Sequence, residues 1–250
     1  MTQIPKIVHY CWFGNNPKPT SVLKYIENWK SKLPEYEIIE WNESNFDIEC
    51  CQYVQEAYKE KKFAFVSDYA RLYALYHHGG IYLDTDVEVC KPFDPLLDNA
   101  DLVFGFEEFN YIATSTMIAP KDSAFINTFM QQYHARSFYK SDGQLDQKTN
   151  VQVLTDMLTK GGCILDGSEQ ILNLDGEQAK ILDQNKFSPF DYANHINKAD
   201  GSTYTIHHFG QSWADAGGIR NRKIKNFLIA VIGGKNLKTI RSIFGKIKQG

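Results

Sequence analysis

Residues 79–89, GGIYLDTDVEV, place Asp84 and Asp86 one residue apart directly after Ile81, Tyr82 and Leu83. Side chains alternate along an extended strand, so this spacing predicts both carboxylates on one side, at the lip of a buried strand. Two ionised carboxylates held together repel unless a cation compensates them. Divalent cations of the Mg²⁺ or Mn²⁺ kind take one or two carboxylates from a protein and complete their shell with substrate phosphates and water. The chemistry expected is neutralisation of a leaving diphosphate, with the cation as Lewis acid, and nucleotide-sugars are substrates of that kind. The same residues fit a second chemistry, that of phosphatases forming an aspartyl-phosphate on the first aspartate of a strand-end DxD. Against it, the motif follows two β-α units instead of opening the chain, and no DD or GDxxxD pair comes after it.

The elements that must hold these residues can be read from periodicity. Residues 6–13 read as a strand, 20–33 as a helix and the stretch from Tyr36 as a second strand. That order predicts a parallel pair with a right-handed crossover, the opening unit of a nucleotide-binding α/β sheet. A short helix over 51–60 and a longer one over 63–78 follow, the second ended by Gly79-Gly80, where a left-handed backbone is cheap. Asp68 and Arg71, three apart, share a face of that longer helix. IYLD and VEVC are strands, 101–107 and 111–119 further strand candidates, and 123–138 and 150–160 helices. YTIHHF is a late strand, and the chain from Arg220 reads as helical with a break at Gly233-Gly234.

Composition bounds the class. With 250 residues, 43% of them hydrophobic, the chain can bury the core of one α/β domain with a small appendage. The N-terminus lacks an apolar segment behind a basic start, so no secretory signal is expected, and no stretch reaches the roughly 18 apolar residues of a spanning helix. The protein is accordingly expected in the cytoplasm. Cys11, Cys50, Cys51, Cys90 and Cys163 are odd in number and show no CxxC spacing, which predicts reduced thiols and no zinc knuckle.

The net charge of −3 hides an asymmetry: residues 216–250 hold nine of the 27 Lys and Arg and none of the 30 Asp and Glu, leaving −12 on residues 1–215. An acidic body argues against nucleic acid as a partner, and the basic tail suggests contact with an anionic surface. Leu237, Ile240, Ile243, Phe244 and Ile247 form a helical stripe with Lys238, Arg241, Lys246 and Lys248 off it, a pattern that can lie in the headgroup region of an anionic membrane.

Four motifs in order, IPKIVHYCWFG, YEIIEWNESNFD, FAFVSDYARLYALYHHGGIYLDTDVEV and YTIHHFGQSW, resemble the bacterial glycosyltransferases with a DxD sugar-binding motif. This is the family 32 group that contains capsular polysaccharide synthesis enzymes and is similar to the yeast initiating mannosyltransferase. The resemblance runs from residue 4 to residue 213. It implies a GT-A fold, a single α/β domain with a mixed central sheet flanked by helices, over residues 1–215, with 216–250 as a basic amphipathic tail. It further implies a retaining sugar transfer from a nucleotide-sugar, expected to be a UDP-sugar, with Mn²⁺ or Mg²⁺. The acceptor would be a glycan or lipid-linked oligosaccharide of capsule or lipopolysaccharide synthesis, met at the inner face of the plasma membrane.

The resemblance also implies roles. Trp12 would stack on the nucleobase, Asp68 and Arg71 would hydrogen-bond sugar or ribose hydroxyls, and Tyr82 would close over the nucleotide. Asp84 would contact ribose and metal-bound water, and Asp86 would ligate the metal directly; with Arg71 they form the expected catalytic set. His207 or His208 would be the third ligand, the HxW/F pattern favouring His207, and Ser212 and Trp213 would cover the diphosphate. Two positions depart from the pattern: Gln211 replaces a small residue, and YIATSTMIAP lacks an asparagine, so the donor sugar is not specified. Glu107, Thr114, Ser115 and Asn150 are expected to shape its pocket. A non-catalytic nucleotide-sugar-binding module and a host-directed, toxin-like glycosyltransferase are the other readings.

Overall fold

The computed structural model describes residues 4–98, 101–191 and 196–210; Ser212, Trp213 and the 216–250 stretch lie outside the described residues. The chain opens with β1 (Ile7–Cys11), α1 (Thr20–Lys32) and β2 (Glu37–Trp41), and β1 pairs with β2 in parallel, as the β-α-β pattern predicts. Then come α2 (Gln52–Lys59), α3 (Phe63–His78), β3 (Gly80–Leu83), β4 (Val87–Val89) and α4 (Asp94–Leu97). The middle of the chain supplies β5 (Leu102–Gly105), β6 (Thr116–Ala119), α5 (Ala124–His134) and α6 (Asn150–Lys160). Last come β7 (Gln170–Leu174), β8 (Glu177–Leu182), α7 (Gln184–Phe187), β9 (Phe190–Asp191), β10 (Ile196–Asn197) and β11 (Thr205–His207).

Among the described residues the central sheet has the order β2-β1-β3-β6-β5-β8-β7. It is mixed, because β6 runs antiparallel to both β3 and β5 and β7 antiparallel to β8. β1, β3, β5 and β8 therefore share one direction, and their C-terminal ends line one edge of the sheet. Alternation sends Val8, Tyr10, Ile81, Leu83 and Val103 to the face covered by α1, and Tyr82, Leu102, Phe104 and Met117 to the face covered by α3 and α5. Both faces are dry, which explains why these strands read as continuous apolar runs.

The junction between α3 and β3 is as tight as its glycines allow. Gly79 and Gly80 have φ of 67° and 106°, and a Cβ on Gly80 would lie 2.5 Å from the Ile7 carbonyl oxygen. The strand that carries the aspartates thus starts without any linker after the helix that carries Asp68 and Arg71.

Three segments differ from the expected pattern. The 111–119 strand is confined to β6, because Ile112 pairs with Phe106 while residues 113–115 cross from Gly105, which accepts the Ala113 N–H, to Asp84, whose N–H donates to Ser115. The 123–138 helix ends at His134. The β7–β8 hairpin lies outside the expected strands, since polar residues interrupt both of them; Asp175-Gly176, with φ of 52° and 90°, is the dipeptide of a two-residue hairpin turn.

Candidate active site

The aspartates sit on a turn, not on an extended strand. β3 ends at Leu83, and the Val87 N–H donates to the Asp84 carbonyl at 3.0 Å, closing a tight turn over Asp84–Asp86. The carboxylates converge because the turn folds them together, which corrects the argument from strand alternation.

Behind Asp84 stands α3. Arg71 is 5% exposed, and its guanidinium is spent on protein: Nε donates to the Ser67 carbonyl, Nη1 to the Thr114 carbonyl at 2.8 Å, and Nη2 lies 3.0 Å from Asp68 and 3.3 Å from Asp84. The helix spacing of three brings Asp68 to Arg71, as expected. Tyr82 is 1% exposed, and its ring centroid lies 4.5 Å from the Arg71 guanidinium carbon. Its hydroxyl donates to Asp84 at 2.9 Å, so it lies beneath the carboxylate rather than closing over a ligand. Burial pushes the Asp68 carboxyl up to about 6 against the opposing charge of Arg71, and the side-chain amide of Asn150 donates to the Asp68 carbonyl.

Asp86 is held from the other end of the described chain. β11 pairs antiparallel with β4, setting His207 opposite Val87, one residue past Asp86. The Asn28 side chain clamps both the N–H and the C=O of Val89, and the Trp29 indole donates to the Val87 carbonyl, so α1 fixes the ribbon. His207 Nε2 lies 3.3 Å from Asp86 Oδ1, and the Gly210 N–H donates to Oδ2 at 2.6 Å. A Cβ on Gly210 would lie 3.2 Å from that of Asp86, so the glycine after HHF permits this approach; its backbone donor was not foreseen from sequence.

Strand alternation separates the two histidines. His208 turns away, stacks on Tyr25 and meets Glu88 at 2.9 Å. Burial works against charge on His207, yet Asp86, then Asp84 and Glu107, hold its ring up at about 9. Burial likewise opposes ionisation of Asp86, but His207 and the Gly210 N–H keep its carboxyl below the ordinary value.

One ligand atom each from Asp84, Asp86 and His207 lie within 4.8 Å of one another. Around a cation with bonds of 2.0–2.1 Å, octahedral ligands stand about 2.9 Å apart when adjacent and about 4.2 Å apart when opposite, so this set would draw together on binding. Two carboxylates suit Mn²⁺ or Mg²⁺, and the imidazole, which has to give up its proton to bind, suits Mn²⁺ better than Mg²⁺. Trp12, partly exposed just past β1, donates its indole N–H to the Asn16 carbonyl at 2.7 Å on the same sheet edge. Thr114 and Ser115 lie in the 113–115 crossing, and Glu107 lies two residues beyond β5.

Residues 19–103 match the family described as a glycosyltransferase sugar-binding region containing a DXD motif. Residues 19–103 are thus similar to a glycosyltransferase sugar-binding region. The region spans α1 to β5 and so includes Asp68, Arg71 and the aspartate turn, but neither Trp12 nor His207. Two Schizosaccharomyces pombe proteins are similar to the chain. Inositol phosphoceramide mannosyltransferase 1 is 28% identical over 114 residues, 41% of this chain and 34% of that protein. Inositol phosphoceramide mannosyltransferase 3 is 31% identical over 105 residues, 38% of this chain and 27% of that protein. The chain thus spans about a third or less of the length of the curated relatives it matches. Among solved structures, the PaToxG glycosyltransferase matches with a TM-score of 0.50 and 18% identity, covering 64% of this chain and 70% of that one. The fold is GT-A.

Proposed function

We propose that the protein is a metal-dependent, retaining glycosyltransferase that moves a sugar from a nucleotide-sugar to a hydroxyl of a glycan acceptor. The observation that carries this reading is the convergence of Asp84, Asp86 and His207 within 4.8 Å at the C-terminal sheet edge, inside and beside the matched DXD region. Asp84, Asp86 and His207 would hold Mn²⁺ or Mg²⁺, which when bound supplies positive charge for the leaving diphosphate.

The remaining roles belong to side chains. Arg71 and Tyr82 fix the Asp84 carboxylate from below, the Gly210 N–H fixes Asp86, and Asp68 with Arg71 borders the space for sugar or ribose hydroxyls. Trp12 offers an aromatic face for a nucleobase. Ser212 and Trp213 would cover the diphosphate. Catalysis in this arrangement rests on orientation and preorganised charge, with no carboxylate assigned as nucleophile.

The relatives' names bring mannose beside the UDP-sugars as a donor class, and an acceptor bearing a lipid is compatible with them. We place the reaction at the inner face of the plasma membrane, in surface-polysaccharide synthesis, with residues 216–250 touching anionic lipid. Among the described residues no helix is long and apolar enough to cross a membrane. The deciding experiment is donor hydrolysis by the full chain with Mn²⁺, with and without chelator, over UDP- and GDP-sugars. Chelator-sensitive turnover of one donor supports the reading; binding of donors without any turnover favours a binding module, and phosphate release from a phosphomonoester favours a phosphatase.

A further inference from the structure

Glu107 lies near the carboxylate turn, past the end of β5. β3 and β5 flank β6, two strand spacings or about 10 Å apart, and Asp84 and Glu107 follow their C-terminal ends on the same edge. Residues 113–115 bridge that gap, tied to Gly105 at one end and to Asp84 at the other. The crossing that spans this notch between the two strand ends includes Ser115, 2% exposed, whose Oγ is buried and has no hydrogen-bond partner among the described residues.

Glu107 itself is only partly exposed, and among the described residues its carboxyl makes no hydrogen bond or ion pair. Every other acidic group of the cluster has a built partner: Asp68 and Asp84 have Arg71, and Asp86 has His207 and the Gly210 N–H. Burial raises the Glu107 carboxyl, His207 opposes and Asp84 adds to the rise, so the three groups share one local field. A half-enclosed acceptor without a donor, facing a set suited to a diphosphate-bound cation, calls for hydroxyl groups from a ligand.

We propose that Glu107 positions the donor sugar, accepting hydroxyls of a neutral hexose across the notch from Asp84, and that it rejects donors whose sugar bears a carboxylate. This rests on the glycosyltransferase reading above and adds a residue and a substrate class to it. A sugar carboxylate in the notch would meet the charges of both Glu107 and Asp84, whereas a hydroxyl pair can donate to both oxygens of one carboxylate.

The test uses the full chain with Mn²⁺ and the isosteric Glu107→Gln together with Glu107→Ala. UDP, GDP, UDP-glucose, UDP-galactose, GDP-mannose and UDP-glucuronic acid are the probes, read by titration calorimetry and, for donors that turn over, by kcat/KM. The variants should bind UDP or GDP within about twofold of wild type while losing about tenfold or more on the preferred neutral nucleotide-sugar, and Glu107→Gln should narrow the discrimination against UDP-glucuronic acid by about tenfold. A merely structural residue would weaken the nucleoside diphosphate and the nucleotide-sugar alike; that result, or unchanged handling of the neutral donor by both variants, overturns the inference and leaves the glycosyltransferase reading in place. Wild-type protein that binds no nucleoside diphosphate and no nucleotide-sugar overturns that reading itself.

Discussion

His9 in β1 and His207 in β11 are both enclosed by the fold, yet their surroundings move the two imidazoles in opposite directions. His9 is 0% exposed and has only neutral partners: Nε2–H donates to the Gly79 carbonyl at 2.8 Å and Nδ1 accepts from the Trp41 indole at 3.2 Å. Burial lowers it to about 4, and the Gly79 carbonyl only partly offsets this. His207 meets Asp86, Asp84 and Glu107 and is held near 9 despite its burial. Burial penalises both imidazolium ions, and the partner decides the outcome. The neutral ring locks β1 to the α3–β3 junction; the other sits among carboxylates that favour its proton until a cation takes that proton's place.

The strongest way to break this contrast is Asp86→Asn, which removes the counter-charge from His207 and a carboxylate from the cation set. Transfer should fall roughly a thousandfold, about 4 kcal/mol in the transition state, with the fold retained. The His207 titration followed by NMR should drop below its wild-type position. Activity within tenfold of wild type at saturating Mn²⁺ would make the pair structural.

Acid stability sharpens the other half. Because the folded His9 value lies below the unfolded one of 6.5, the unfolded chain binds the proton first as pH falls. The His9 contribution is complete above pH 6.5 and lost as pH falls toward 4, roughly 3 kcal/mol in all. His9→Gln, whose amide can serve both partners, should flatten that part of the urea-midpoint profile relative to wild type. Identical slopes for the two proteins between pH 6.5 and 4 would assign the acid sensitivity elsewhere.

Arg71→Lys asks whether charge alone supports Asp84. The guanidinium divides its donors among Ser67, Thr114, Asp68 and Asp84, and a point-charge ammonium cannot reach them together. We expect about 2 kcal/mol lost in stability and about tenfold in donor turnover, measured by thermal unfolding and hydrolysis. Wild-type values of both would reduce Arg71 to an interchangeable cation.

The smallest effect should come from His208→Gln. His208 pairs with the exposed edge of Glu88 and stacks on Tyr25, away from the carboxylate turn. Turnover should stay within about threefold and stability within about 1 kcal/mol. A loss comparable to that of His207→Gln in Mn²⁺ affinity would erase the distinction between the two neighbouring rings.

Much of this protein follows from local pattern. The 3.6-residue period of α3, its glycine end and the i,i+3 pair Asp68–Arg71 depend on neighbours in the chain, and each is where the sequence places it. So do the apolar runs of β1 and β3, the parallel β1–β2 opening and the DxD after β3. Short-range rules carry the helix, its end and its ion pair because the interacting residues are only a few positions apart, and the parallel β1–β2 pair follows from the β-α-β order.

Tertiary structure decided the rest, for reasons of long-range pairing. The HxW/F pattern already favours His207 over His208, but the physical reason is the register of β11 on β4, elements more than a hundred residues apart, since a slip of one would exchange the two rings. Tyr82 beneath Asp84 instead of above a ligand, and Arg71 spent on Ser67, Thr114 and two aspartates, follow from how α3 packs on the sheet. The opposite shifts of His9 and His207 belong to the same class: an imidazole has one intrinsic value near 6.5, and only the neighbours the fold assembles, a carbonyl and an indole or three carboxylates, set which way it moves.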